Sequence, residues 1–234
     1  MADRFFTPDP IAPGELALTG AEAHHMAAVR RFAPGDRVVL FNGDGYDYPA
    51  EVLSAGKRSV ALTVFPPVAV DRELGFPLVV GSALPKGDRA DFLIEKLTEL
   101  GATRFVPLLT TRAVVQPKPT VVEKFERAVI EASKQCGRNR LMAIDPPRQW
   151  DEFLRLTDVP LNRVVLHTGP DLAPVARSGG CVVAVGPEGG FTPEEIARAT
   201  TAGWGVASLG PRVLRVETAA LAAAAVLSAH RSGS

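Results

Sequence analysis

Three glycines within five residues surround one glutamate in Gly186-Pro187-Glu188-Gly189-Gly190, and Phe191-Thr192-Pro193-Glu194-Glu195 follows at once. Glycine lets a backbone approach a ligand closely and take positive φ, so this density exceeds what an ordinary tight turn requires. The pattern predicts a ligand loop. A phosphate cradle is disfavoured, because no Walker-type lysine is present and Glu188 would repel phosphate. A carboxylate there suits a ribose hydroxyl or a cationic group. Thr192 then predicts a helix start, with Pro193 at the first helical position and Glu195 at the third.

A second candidate is Leu209-Gly210-Pro211-Arg212-Val213-Leu214-Arg215-Val216-Glu217-Thr218-Ala219. Two arginines and a glutamate between a strand and a helix fit an anionic substrate such as a nucleic-acid backbone. They fit equally a loop arginine paired with Glu217. A third is Leu166-His167-Thr168-Gly169-Pro170, where His167 is either a catalytic group or a satisfied loop residue. No metal site is expected. His24 and His25 are adjacent, so on a helix they point about 100° apart and cannot chelate one ion together. Neither G-x-S-x-G nor G-x-G-x-x-G occurs.

These loops need elements to hold them. Residues 1–72 read as mostly strand: Asp36–Phe41, a turn at Asn42–Gly45, Tyr48–Leu53, a turn near Gly56, then Ser59–Phe65. Such a meander curls into a small barrel. One helix interrupts it, opened by a capping box at Thr19 and Glu22, running to about Phe32 and ended by Gly35. Pro66 to Gly75 reads as a linker. Beyond it strands alternate with helices. The strands are Leu78–Ala83, Phe105–Leu109, Val164–His167, Cys181–Val185 and Val206–Leu209. The helices are Asp88–Leu100, with Phe92, Leu93, Leu97 and Leu100 as its stripe, Thr120–Gly137, Pro193–Ala202 and Thr218–His230. Apolar strands alternating with helices predict an α/β domain over 73–234, with a mainly parallel sheet covered on both faces. Ligands of such sheets bind beyond the C-terminal strand ends, which is where all three loops fall.

The 234 residues permit one large domain or two modest ones, and 46% hydrophobic content suffices for packed cores. Twenty-six basic and 26 acidic residues cancel, so a blanket electrostatic grip on nucleic acid is not indicated and any such contact must be a local patch. Charges at positions 3 and 4 argue against a signal peptide, and the longest apolar run, Ala219–Leu227, is too short to span a membrane. Cys136 and Cys181 form no C-x-x-C and read as packing residues, in keeping with a cytoplasmic setting.

Five blocks in order resemble the RsmE family of ribosomal RNA small-subunit uridine methyltransferases, within the SPOUT superfamily. They are His24-His25-Met26 with Val29-Arg30-Arg31 and Gly35-Asp36; Lys86-Gly87-Asp88-Arg89 with Glu95–Gly101; Glu131–Arg138; the GPEGG loop; and Leu209–Ala219. Met26 stands where leucine is commoner, and Val216 where threonine is usual. The resemblance implies a PUA-like RNA-binding barrel over 1–72 and a SPOUT methyltransferase domain over 73–234 whose last segments form a trefoil knot. It implies a homodimer that binds S-adenosylmethionine and methylates N3 of one uridine in 16S rRNA of the small ribosomal subunit, with no metal and no membrane. Cofactor contacts are then expected at Leu166, His167, Gly186, Pro187, Glu188, Gly189, Gly190, Leu209, Gly210, Val213, Leu214 and Thr218. RNA contacts are expected at Arg4, Arg30, Arg31, Lys86, Arg89, Arg112 and Arg138. Charge type and loop position make Glu217 the candidate base and Arg215 the candidate stabiliser of negative charge.

Overall fold

The computed structural model describes residues 3–56, 58–169 and 180–229. The chain divides into two compact units, Met1–Arg72 with Ser133–Leu141, and Glu73–Ala132 with Met142–Ser234. Pro170 and His230 lie outside the described residues.

The first unit contains β1 (Arg4–Phe6), β2 (Gly14–Thr19), α1 (Gly20–His24), a π-helical turn (His25–Arg30), β3 (Arg37–Phe41), β4 (Tyr46–Ala55), β5 (Ser59–Val64) and β6 (Val68–Ala69). Its sheet runs β1-β3-β4-β5-β2, with β6 paired to β4. Val38 and Leu40, Ala50 and Val52, and Val60, Leu62 and Val64 alternate inward and form the core with Ala23 and Met26. The short β1 and β2 escape periodicity in the sequence, and β6 lies inside the expected linker.

The helical segment differs from its expected form. Thr19 precedes α1, but its side chain makes no capping bond. Glu22 instead pairs with Lys134. The segment ends at Arg31, which takes the left-handed conformation at φ 55°, and not at Gly35.

Arg4 and Arg138, expected on an RNA-facing surface, are 7% and 3% exposed. Arg4 grips Asp47 with two bonds of 2.9 Å and reaches the Arg138 carbonyl at 3.4 Å. Asn139 and Arg72 reach the same carboxylate at 3.2 and 3.3 Å. The sequence displays these cations but not the aspartate 43 residues away that buries one of them. Burial pushes the Asp47 carboxyl up, yet Arg4, with Asn139 and Arg72, outweighs it and holds the group below its ordinary value. A lowered native value means stability that is present above about pH 4 and lost as pH falls through the native value. The difference in melting temperature between wild type and Asp47→Asn should therefore shrink between about pH 5 and pH 3. A pH-independent difference would contradict this role.

The second unit contains β7 (Leu78–Ser82), α2 (Arg89–Glu99), β8 (Arg104–Leu109), α3 (Val121–Cys136), β9 (Ala143–Ile144), β10 (Arg148–Gln149), α4 (Trp150–Leu154), β11 (Asn162–Leu166), β12 (Cys181–Val185), α5 (Pro193–Thr201), β13 (Gly205–Ala207) and α6 (Val216–Ser228). The last four residues of α3 belong to the first unit. The sheet order is β10-β8-β7-β12-β11-β13, with β9 on β8, and every pairing is parallel. Strands β7 and β12 are buried throughout, as an α/β sheet covered on both faces requires. Gly81 at the centre of β7 is dictated by packing, because a Cβ there would lie 2.3 Å from the Phe153 ring.

On α2 the buried stripe is Ala90, Leu93, Ile94, Leu97 and Thr98. Phe92 falls off it, 46% exposed, with the Lys96 ammonium 5.8 Å from its ring. Helix α4 is too short for periodicity to reveal, yet it carries Trp150 and Phe153 into the core. Cys181 is buried, which pushes its thiol up to about 11 and suits a packing residue. Among the described residues no helix is long and apolar enough to cross a membrane.

Candidate active site

Strands β12, β11 and β13 are sheet neighbours, so the loops leaving their C-terminal ends lie side by side. Those loops are the three singled out from the sequence. They enclose a cavity of about 350 Å³, within the small-molecule range. Every residue expected to contact a cofactor lines it except Thr218. Because α6 begins at Val216, that residue and Ala219, one turn apart, face the cavity, while Thr218 is exposed.

The glycine loop is braced from below. The Gly190 amide bonds the Pro187 carbonyl at 2.8 Å, with Gly190 at φ 68°. A Cβ on Gly186 would sit 3.0 Å from Phe191 Cδ2 and 3.1 Å from Cε2. Phe191 is 2% exposed, its ring centroid 4.4 Å from that of Trp150. The loop therefore rests on a rigid aromatic floor. The capping box at the start of α5 forms as the spacing predicts. Glu195 accepts from the Thr192 amide at 2.8 Å, and its amide donates to the Thr192 hydroxyl at 3.1 Å. The Glu195 carboxylate also accepts from the Thr111 amide and hydroxyl at 2.8 and 3.0 Å. That anchors the segment carrying Arg112, whose guanidinium donates to the Gly189 carbonyl at 2.8 Å and lines the cavity. Arg112, expected as an RNA contact, is thus part of the cavity rim.

The β11 loop is tied to β13 by the His167 amide, which donates to the Ala207 carbonyl at 2.9 Å. In the third loop the Ser208 hydroxyl and the Gly210 backbone hold each other at 3.0 and 3.1 Å, with Gly210 at φ 109°. Ser208, Phe191 and Val185 line the cavity and were missed. No sequence signal separates them from ordinary strand-end residues. Arg212 also lines it, whereas Arg215 of the same loop stands at the N-terminal boundary of α6 and is exposed.

Glu217 is 7% exposed and does not line the cavity. Its Oε1 accepts from Arg89 Nη1 at 3.3 Å, and its Oε2 is buried with no hydrogen-bond partner. Arg89 Nη2 lies 3.9 Å from Glu188 Oε1, and Arg89 Nε donates to the Lys86 carbonyl at 3.3 Å. The sequence offered a loop arginine as one possible partner of Glu217; the partner is instead Arg89 of α2, 128 residues earlier.

A parallel sheet whose adjacent loops form one glycine-floored cavity defines an α/β small-molecule-binding enzyme domain, and family comparison makes that class RNA methyltransferases. The family model described as RNA methyltransferase domain matches residues 72–228, and that of the RNA methyltransferase PUA domain matches residues 18–65. The chain is 33% identical to ribosomal RNA small subunit methyltransferase E of Synechocystis sp., across 95% of this chain and 75% of the relative. It is 30% identical to the protein of that name from Bacillus subtilis, across 91% and 89%. The chain belongs to the ribosomal RNA small subunit methyltransferase E family. Among solved structures, it resembles a putative methyltransferase from Legionella pneumophila in complex with S-adenosylmethionine, with a TM-score of 0.89, 32% identity and 98% of each chain covered. It also resembles the Neisseria gonorrhoeae ribosomal RNA small subunit methyltransferase E bound to S-adenosyl methionine, with a TM-score of 0.87, 29% identity, and 97% and 96% covered.

Proposed function

We propose that this protein transfers the methyl group of S-adenosylmethionine to N3 of a single uridine in 16S rRNA of the small ribosomal subunit. The observation that carries the reading is the cavity formed by three adjacent strand-end loops. It fits the cofactor in size, in its apolar walls at Leu166, Val185, Leu209 and Leu214, and in the carboxylate of Glu188, which suits a cationic group. Gly186 lets the loop backbone lie directly on its aromatic floor, where a Cβ would meet Phe191. The residues that would hold the cofactor are those of the loops after β11, β12 and β13.

Bound S-adenosylmethionine supplies an activated methyl on a sulfonium, which becomes a neutral thioether on transfer. The chain must deal with the acceptor. Uridine N3 carries a proton at neutral pH, so the N3–H bond breaks as the N3–CH₃ bond forms. Glu217 is the acceptor of that proton, through its unpartnered Oε2. Because that oxygen is buried, the α6 start and its loop must open for the base to enter. Arg215 at the exposed start of α6 stabilises the negative charge growing on the uracil oxygens, aided by the helix N-terminus.

RNA contacts outside the cavity fall to the exposed cations Arg30 and Arg31 in the first unit and Lys86 in the second, with Arg112 and Arg212 exposed at the cavity rim. Residues 1–72 form the RNA-contacting domain and 73–234 the methyltransferase domain, in a cytoplasmic setting where rRNA is made. A trefoil knot in the last segments is what the family resemblance implies, and the adjacency of β12, β11 and β13 is compatible with it. A homodimer would cover Val213, an apolar side chain 83% exposed on the third loop. Light scattering should then give twice the 24.8 kDa chain mass, and a monomer at all micromolar concentrations would refute the dimer. Calorimetry tests the cofactor assignment. Micromolar S-adenosylmethionine binding that ATP and NAD do not displace supports it, and preference for either nucleotide overturns it.

A further inference from the structure

The guanidinium of Arg89 is engaged on all three nitrogens, with Lys86 O at 3.3 Å, Glu217 Oε1 at 3.3 Å and Glu188 Oε1 at 3.9 Å. It stands at the first position of α2 and spans a carboxylate of the glycine loop and one of α6. Both of its anionic partners come from segments that the sequence assigns to the site, and the pairing leaves only one atom of Glu217, Oε2, unsatisfied. A planar fork held by two hydrogen bonds, with a looser ion-pair contact to Glu188, orients a carboxylate in a way that a flexible ammonium cannot.

We propose that Arg89 is the positioning residue for Glu217, fixing Oε1 so that Oε2 alone is free to take the uridine N3 proton. Arg89 then acts through Glu217 and not as a phosphate contact. The inference rests on the reading of Glu217 as proton acceptor. It goes beyond that reading by naming what orients the base.

The charged surroundings of Glu217 are few. Arg89 comes from α2, Glu188 shares its guanidinium, and Arg215 stands at the N-terminal boundary of the helix that carries Glu217. Elsewhere on α2, Asp91 pairs with Lys124, and Lys96 pairs with Glu95 and Glu99. Lys86 and Asp88 precede α2 with exposed side chains. Strands β7 and β12, on which α6 packs, bring no titratable group but Cys181, whose thiol burial pushes up to about 11.

The test is single-turnover methyl transfer at saturating cofactor, with unmethylated small subunits, in wild type, Arg89→Met, Arg89→Lys and Glu217→Gln. In Arg89→Met the rate should fall about tenfold. The KM values for cofactor and subunits should stay within about threefold. Arg89→Lys keeps the cation, yet its rate should fall as well, because an ammonium cannot span both carboxylates. A wild-type rate in Arg89→Met, with a raised KM for subunits, would make Arg89 an RNA contact and overturn the proposal. If Arg89→Met does not fold, a wild-type rate in Arg89→Lys would also overturn it. Glu217→Gln separates the two claims: if it keeps the rate, the base assignment itself fails.

Discussion

Replacing Glu217 by glutamine should lower kcat by about 10²- to 10⁴-fold at neutral pH, while the affinity for S-adenosylmethionine stays within about threefold. The expectation follows from where the side chain sits. Glu217 lies outside the cavity lining, so its loss removes no cofactor contact. The amide retains volume and can still accept from Arg89, so the start of α6 should stay packed. What disappears is the atom able to take a proton. An unchanged melting temperature separates this from a folding defect, since a damaged fold would lower both melting temperature and rate. Full turnover at every pH in Glu217→Gln would remove the residue from the mechanism.

Gly186→Val should weaken cofactor binding by about 10- to 100-fold. The added Cβ would lie 3.0 Å from the Phe191 ring and 3.2 Å from its amide. Phe191 cannot retreat, being 2% exposed and packed against Trp150 with ring centroids 4.4 Å apart. The strain therefore moves the loop backbone, at a cost of about 1–3 kcal/mol, and about 1.4 kcal/mol corresponds to tenfold in affinity. Calorimetry reads this directly. An unchanged affinity would mean that the glycine loop does not touch the cofactor. Melting temperature should fall as well, because the same clash exists without ligand.

The parallel sheet and the three loops could be read in advance because they depend on local patterns. Uniformly apolar runs such as Cys181–Val185 have few alternatives to a buried strand, and Thr192, Pro193 and Glu195 carry the start of α5 in their own spacing. The missed features depend on distant partners. The capping box at Thr19 fails because Glu22 finds Lys134, 112 residues away. Arg4 looks like a surface cation until Asp47 is brought to it. The stripe of α2 shifts by one position because Ile94 and Thr98 are buried while Phe92 is exposed. In the site the same rule holds. Glycine density marked the cavity floor, but nothing local tells that Arg89 bridges Glu188 and Glu217 or that Thr218 turns outward.

The central claim is methyl transfer to one uridine of the small ribosomal subunit. It is tested by incubating purified protein and labelled S-adenosylmethionine with small subunits lacking native uridine methylation, and with free rRNA alongside. The account predicts label on the subunits, mapped by mass spectrometry to N3 of a single uridine. Intact cofactor binding with no label on subunits or rRNA, or label on a base other than uridine, would contradict it.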